Sequence, residues 1–228
     1  MIISIVIPIY KESRDVIQKF LGNFDSIPSS VMDTIEFIIV IPFADTTDYS
    51  YLDNYSFLNS VRTKDKGRAN QLNFGAEKAT GTIFWFLHVD SVVPKDFFNL
   101  IVDKLEVFDS SAFSLEISPS SLWFSFISEL TNLRTKWTSC PYGDQGIFVK
   151  KSVFFNIGGF DDVEFLEDVL FMKKIRASGA TFKVLSEKIK TSNRRWLENG
   201  IVYTTLKNRF IMLLFWFKIP PHLLRKFY

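Results

Sequence analysis

Cysteine is nearly missing from this chain. Cys140 stands alone, so no internal disulfide and no multi-cysteine metal site can form. This fits a reducing compartment, the cytoplasm, and leaves the thiol as a small buried hydrophobe. A surplus of one charge is missing too: 27 Lys and Arg stand against 25 Asp and Glu, a net of +2. That balance suggests no nucleic-acid partner, since phosphate binding would need Lys and Arg concentrated on one face, and any basic site must be local. Long apolar runs are also lacking. "MIISIVIPIYKES" is too short and too β-branched for a signal peptide, has no basic leader, and reads as a strand. Phe210 to Phe217, closed by Lys218, falls short of the roughly 20 residues that span a bilayer. Repeats, low-complexity tracts and long linkers are absent, so residues 1–228 read as one domain.

What is present is a large apolar stock, 47% hydrophobic and 16% aromatic, enough for a sizeable core. Ile3 to Pro8 and Phe37 to Pro42 are β-branched runs stopped by proline, with Val16, Phe20 and Phe24 at helical spacing between them. Ser56 to Val61 is a weaker strand. Ala69, Leu72, Ala76 and Ala79 then make one helical stripe closed by Gly81. "TIFWFLHVD" is apolar on both faces, as a central parallel strand covered by helices would be. The first ninety residues thus read as an open α/β sheet. Beyond them come helices striped by Phe98, Ile101, Val102, Leu105 and Phe108 and by Leu122, Phe126, Leu130, Leu133 and Trp137. "AFSLEIS", Ile147 to Val149 and "TFKVLS" read as strands, and a helix through Phe165, Val169, Met172 and Ile175 precedes the last of these.

Ligands of open α/β sheets bind beyond the carboxyl ends of the strands. Tyr10, Lys11 and Glu12 follow the first strand, Asp45 and Asp48 the second, and His88 and Asp90 the "FWFL" strand. Asp90 suits Mg²⁺ or Mn²⁺ completed by waters and phosphates, with His88 two residues away on the same side; it equally suits a helix cap or turn. Gly67 and Arg68 open a helix whose free N–H groups and guanidinium could face a diphosphate, or simply water. Glu167 and Asp168 lie in a first helical turn, where acids are stabilised by the helix dipole and where a carboxylate could also take a proton. Arg194, Arg195 and Trp196 could pair an anion and stack on a ring, or form a surface turn.

The order of the motifs narrows these alternatives. "SIVIPIYKE", "GRANQLNFGAEKATGTIFWFLHVDSVVP", "GDQGIFVKKSVFFNIGGF", "LEDVLFMKKIRASG" and "TSNRRWLENG" together resemble the family 2 glycosyltransferases of the GT-A fold, most nearly a bacterial subgroup sharing "GRA-Q-N-GA", "FLHAD", "GDQ-IF", "GGF", "MED" and "S-RRW". The resemblance covers nearly the whole chain. It implies an open, mostly parallel sheet flanked by helices, with a nucleotide-sugar-binding half over about 1–94 and an acceptor-binding half over about 95–228. It implies inverting transfer from a nucleotide sugar, a UDP-sugar first among them, to an acceptor hydroxyl that the sequence does not identify. Pro8, Tyr10 and Glu12 then match the first nucleotide-binding segment and Arg68 the position near the diphosphate. Asp90 matches the metal-binding aspartate, for Mn²⁺ or Mg²⁺, with His88 in the place of its usual aspartate partner. Asp168 matches the general base, with Glu167 beside it, and Gly143, Asp144, Gln145, Arg195 and Trp196 match the region meeting acceptor and donor sugar. One segment departs: "VIPFADTTDYS" stands where the family has "VVDGGSTDGT", which makes Asp45 the candidate replacement for the base-holding aspartate. That departure is also the ground for an alternative, a degenerate member that binds a nucleotide sugar without turning it over. Arg209, Lys218, Arg225 and Lys226 flank the apolar C-terminal stretch, which reads as core- or subunit-packing, or as a peripheral contact with an anionic membrane surface.

Overall fold

A computed structural model describes residues 1–225, apart from the side chain of Arg195; Lys226 lies outside the described residues. In chain order the elements are β1 (Ile3–Pro8), α1 (Arg14–Leu21), α2 (Ser29–Met32), β2 (Ile35–Pro42), β3 (Leu58–Thr63), α3 (Arg68–Lys78), β4 (Ile83–Phe86), α4 (Phe97–Val107), β5 (Ser110–Ser118), α5 (Leu122–Thr138), β6 (Phe148–Lys150), α6 (Lys151–Asn156), α7 (Glu167–Ala177), β7 (Phe182–Ser192), α8 (Arg194–Asn199), α9 (Ile201–Trp216) and α10 (Pro221–Leu224). The seven strands form one sheet in the order β3-β2-β1-β4-β6-β5-β7. All pairings are parallel except those of β6, which runs antiparallel to both β4 and β5.

The continuous apolar runs of the central strands are explained by two cores, one on each face of the sheet. Ile5 and Ile7 of β1, Phe37 and Ile39 of β2 and Trp85 of β4 face one core, with Phe20, Phe24, Phe97 and Ile101 of the neighbouring helices and turn. Val6, Ile38, Val40, Phe84 and Phe86 alternate into the other, with Leu72, Phe154, Phe171 and Ile175. Helix α3 comes very close to the sheet. A Cβ at Gly75 would sit 2.4 Å from Val6 Cγ1 and 2.9 Å from Val40 Cγ2, so only glycine fits there. Two polar residues of the same helix lock its position. Gln71 donates to the carbonyls of both Ile9 (2.9 Å) and Val40 (2.8 Å), and Asn73 exchanges hydrogen bonds with the backbone of Phe160.

Two sequence expectations need correction. The Leu122–Phe126–Leu133–Trp137 stripe of α5 faces outward, with Leu122 92% and Trp137 80% exposed. The buried face carries Phe124, Ile127, Ser128, Asn132 and Thr135. The reason is the sheet: β6 pairs with β5 only at Ser110 and Ser111, so the rest of that β5 edge has unpaired backbone groups. Polar side chains of α5 satisfy them. The N–H of Ile117 donates to Ser128 Oγ at 3.1 Å, and Leu115 exchanges two hydrogen bonds with Asn132. The second correction concerns "TIFWFLHVD", whose strand ends at Phe86. His88 and Asp90 lie in a turn closed by a hydrogen bond from the Ser91 N–H to the His88 carbonyl, so strand alternation does not place them on one side.

Candidate active site

The carboxyl ends of the parallel strands share one edge of the sheet, where an open α/β fold binds its ligands. After β1, β2, β3, β4 and β7 the chain delivers Tyr10 to Glu12, Asp45, Arg68, His88 with Asp90, and Arg194 with Trp196 to that edge. The antiparallel direction of β6 brings its preceding residues, Gly143 to Gln145, to the same edge. Helices α3 and α7 both start there, which places Arg68 beside Glu167 with Nε and Oε1 3.5 Å apart.

One small pocket at this edge gathers Arg68, His88, Gly143, Glu167 and Asp168. The Gly143 N–H donates to Asp168 Oδ2 at 2.6 Å and the Val169 N–H to Oδ1 at 2.7 Å, so two backbone donors hold the carboxylate. The residue before this pair, Leu166, is left-handed at φ 62°, a strained setting for a branched side chain at the start of α7. His88 retains some accessible surface, but its Nε2 is enclosed and has no hydrogen-bond partner among the described residues. Desolvation, with the nearby Arg68 charge, pushes its pKa well below the ordinary histidine range, so the ring is neutral. Burial and the Asp168 charge raise the pKa of Glu167 against the pull of Arg68.

Beside the pocket, carboxylates crowd together. Burial, then the charge of Asp168, pushes Asp144 up to about 6, with Asp90 adding to the rise while Arg134 and Arg68 oppose it. One oxygen of Asp144, Oδ1, is enclosed without a partner among the described residues. Glu12 is raised by burial first and then by Asp90, with Arg194 pulling it down. Negative charges crowded this way, with an unsatisfied oxygen among them, suit a divalent cation. Among the described residues no three His, Cys, Asp or Glu side chains converge on one point as a ligand set. The arrangement therefore fits a cation held by one or two carboxylates and otherwise by phosphates and water, the ordinary manner of Mg²⁺ and Mn²⁺.

The other sequence-selected residues occupy different roles. Asp45 is fully buried, and its carboxylate accepts from the Lys11 N–H at 2.6 Å, the Thr47 N–H at 3.0 Å and the Tyr49 hydroxyl at 3.0 Å. It binds the loops after β1 and β2 together and presents no free oxygen. These hydrogen bonds lower its pKa despite the burial. Pro8 closes β1, and Tyr10 is 51% exposed beside the cleft. Gln145 is fully buried, donating to the Phe113 carbonyl and accepting from Thr135 Oγ1, so it caps the open β5 edge. Trp196 stacks edge-on against Phe124 and anchors α8 to α5. The side chain of Arg195 is outside the described residues. Arg134 was invisible to the sequence reading because the apolar stripe of α5 dominated it. Its guanidinium lies 3.4 Å over the Tyr142 ring, within electrostatic reach of Asp144 and Asp168.

The sheet order, the reversed β6 and the acidic cleft at the strand ends define a GT-A fold of the glycosyltransferase type. The model of glycosyl transferase family 2 matches residues 4–160, and the chain belongs to that family. Among solved structures, residues 1–349 of TarS from S. aureus in complex with UDP-GlcNAc align over 84% of this chain and 58% of that one, at 19% identity and a TM-score of 0.66. A mannosyltransferase from Pyrobaculum calidifontis, PcManGT, in complex with GDP-Man and Mn²⁺, aligns over 82% of this chain and 56% of its own at 21% identity and a TM-score of 0.63. The chain thus spans little more than half the length of these two. No curated protein matches it.

Proposed function

We propose that the protein transfers a sugar from a nucleotide-sugar donor, a UDP-sugar by preference, to an acceptor hydroxyl in a single inverting displacement. The observation that carries the reading is the geometry of Asp168, fixed by two backbone N–H groups at the rim of a pocket it shares with Arg68 and His88. Asp168 takes the proton of the acceptor hydroxyl as that oxygen attacks the anomeric carbon. Arg68, oriented by Glu167, faces the diphosphate and shares the negative charge that develops on it. Neutral His88 binds as a hydrogen-bonding group, and Arg134 offsets the acidity around Asp144. Glu12 and Tyr10 form the wall on the nucleotide side. Asp90 would hold Mn²⁺ or Mg²⁺ together with the donor phosphates, a group that supplies charge neutralisation on the leaving diphosphate when bound. The two relatives that carry UDP-GlcNAc and GDP-Man with Mn²⁺ support a nucleotide-sugar donor and a divalent ion. The lone buried Cys140 supports a cytoplasmic setting.

The test is donor consumption with a panel of UDP- and GDP-sugars in Mn²⁺ and Mg²⁺, on the wild type, Asp168→Asn and Asp90→Ala. Turnover lost in both variants with donor binding retained in Asp168→Asn is the expected result. Unchanged rates in both would overturn the assignment. Donor binding in the wild type without turnover of any donor would instead favour a binding protein, the reading suggested by the internal use of Asp45.

A further inference from the structure

We infer that helix α9, with the outward stripe of α5, docks on an anionic lipid bilayer. Helix α9 buries only Thr204 and Ile211, while Leu206, Phe210, Leu213 and Trp216 remain more than half exposed. No helix among the described residues is long and apolar enough to cross a membrane. Exposed apolar surface of this extent marks an interaction face. Ile201 at the start of α9 packs on the cluster that holds Phe124 and Ile127 at the start of α5. The outward stripe of α5, bare because its inner face is committed to the β5 edge, adds a second exposed apolar surface.

Charge decides what covers it. After Glu198 the chain has no acidic residue at all, while Lys207, Arg209, Lys218, Arg225 and Lys226 follow. Arg209 and Lys218 are exposed, and Arg225 is paired to Glu164. A second copy of the chain meeting this face across a two-fold axis would set cation against cation. An anionic bilayer instead takes the aromatic and aliphatic side chains into its headgroup boundary and the cations against its lipid phosphates, as interfacial helices do. The docking does not depend on the catalytic assignment. Helix α8 links it to the cleft, since Arg194 at its start acts on Glu12.

Vesicle co-sedimentation of the full chain tests the inference, using phosphatidylcholine alone and phosphatidylcholine mixed with phosphatidylglycerol. The protein is expected to pellet with the mixed vesicles, and less so as salt is raised. Arg209→Ser and Lys218→Ser should each lower the partition coefficient about fivefold. Trp216→Ser and Trp137→Ser should each lower it roughly tenfold. All four side chains are exposed, so an unchanged melting temperature verifies that the variants fold. Equal pelleting with both vesicle types, or no effect of the two charge variants, would overturn the inference. So would a stable dimer that ignores vesicles and dissociates in Trp216→Ser.

Discussion

Asn132 stands in for a missing strand opposite Leu115: its Oδ1 accepts from the Leu115 N–H at 2.7 Å and its Nδ2 donates to the Leu115 carbonyl at 3.0 Å. A side-chain amide has the same donor and acceptor as a peptide group, so a helix can close a sheet edge in this way. Replacing Asn132 by Leu adds apolar surface to a buried site yet leaves two backbone groups without partners. We predict a loss of about 2–4 kcal/mol in urea unfolding, against the gain that hydropathy alone would suggest.

Gly75 marks the place where α3 meets β1 and β2. Gly75→Ala should cost about 1–3 kcal/mol, because the new Cβ falls inside contact distance of Val6 and Val40. Adding Val6→Ala should recover part of that loss, whereas Val6→Ala alone should destabilise. A double-mutant cycle by thermal or urea melts measures the coupling.

Gly143 has a different neighbour. A Cβ there would lie 2.9 Å from His88 Nε2 and 3.6 Å from Asp168 Oδ2. Gly143→Ala is therefore expected to displace the imidazole and lower kcat by roughly tenfold or more, as misplacement of about an ångström does. His88→Ala in the same chain removes the obstruction. The double variant should show a smaller penalty than the two single effects combined, read from donor-consumption kinetics.

Asp144 gives the protein a signature in pH. Its folded pKa, about 6, lies above the ordinary 3.8, so folding favours the protonated form. Its contribution to stability is thus complete below the ordinary value and is lost as pH rises through about 6. Asp144→Asn carries no such charge and should gain on the wild type across that interval, by up to about 3 kcal/mol at neutral pH. Urea titrations of both proteins at a series of pH values give the difference directly.

Much of the architecture was legible because its cause is local. Ile3–Pro8, Phe37–Pro42 and the "FWF" run carry apolar residues on both faces, which only a strand between two helical layers needs. The start of α3 at Gly67 and the acids opening α7 follow from turn chemistry and the helix dipole. Helix α5 was misread because its inward face answers to β5, a partner distant in sequence, and an amide there looks like solvent exposure. The same distance hides Arg134 and the parts played by Gln145 and Trp196, whose partners are set by tertiary packing. Arg68, His88, Glu167 and Asp168 could be selected as chemistry-bearing residues. Their convergence depends on α3 and α7 starting at the same edge of the sheet, and Gly143 joins them only because β6 reverses direction, which no local pattern records.

The three donors held by Asp45 come from two loops, one after each of the first two strands. This carboxylate works as a rivet between the walls of the cleft. Asp45→Ala would let both walls move at once, a mechanical failure in place of a lost contact. Side chains mounted on the riveted frame, Tyr10 among them, can then be exchanged to alter the proposed donor preference while the frame itself keeps its shape.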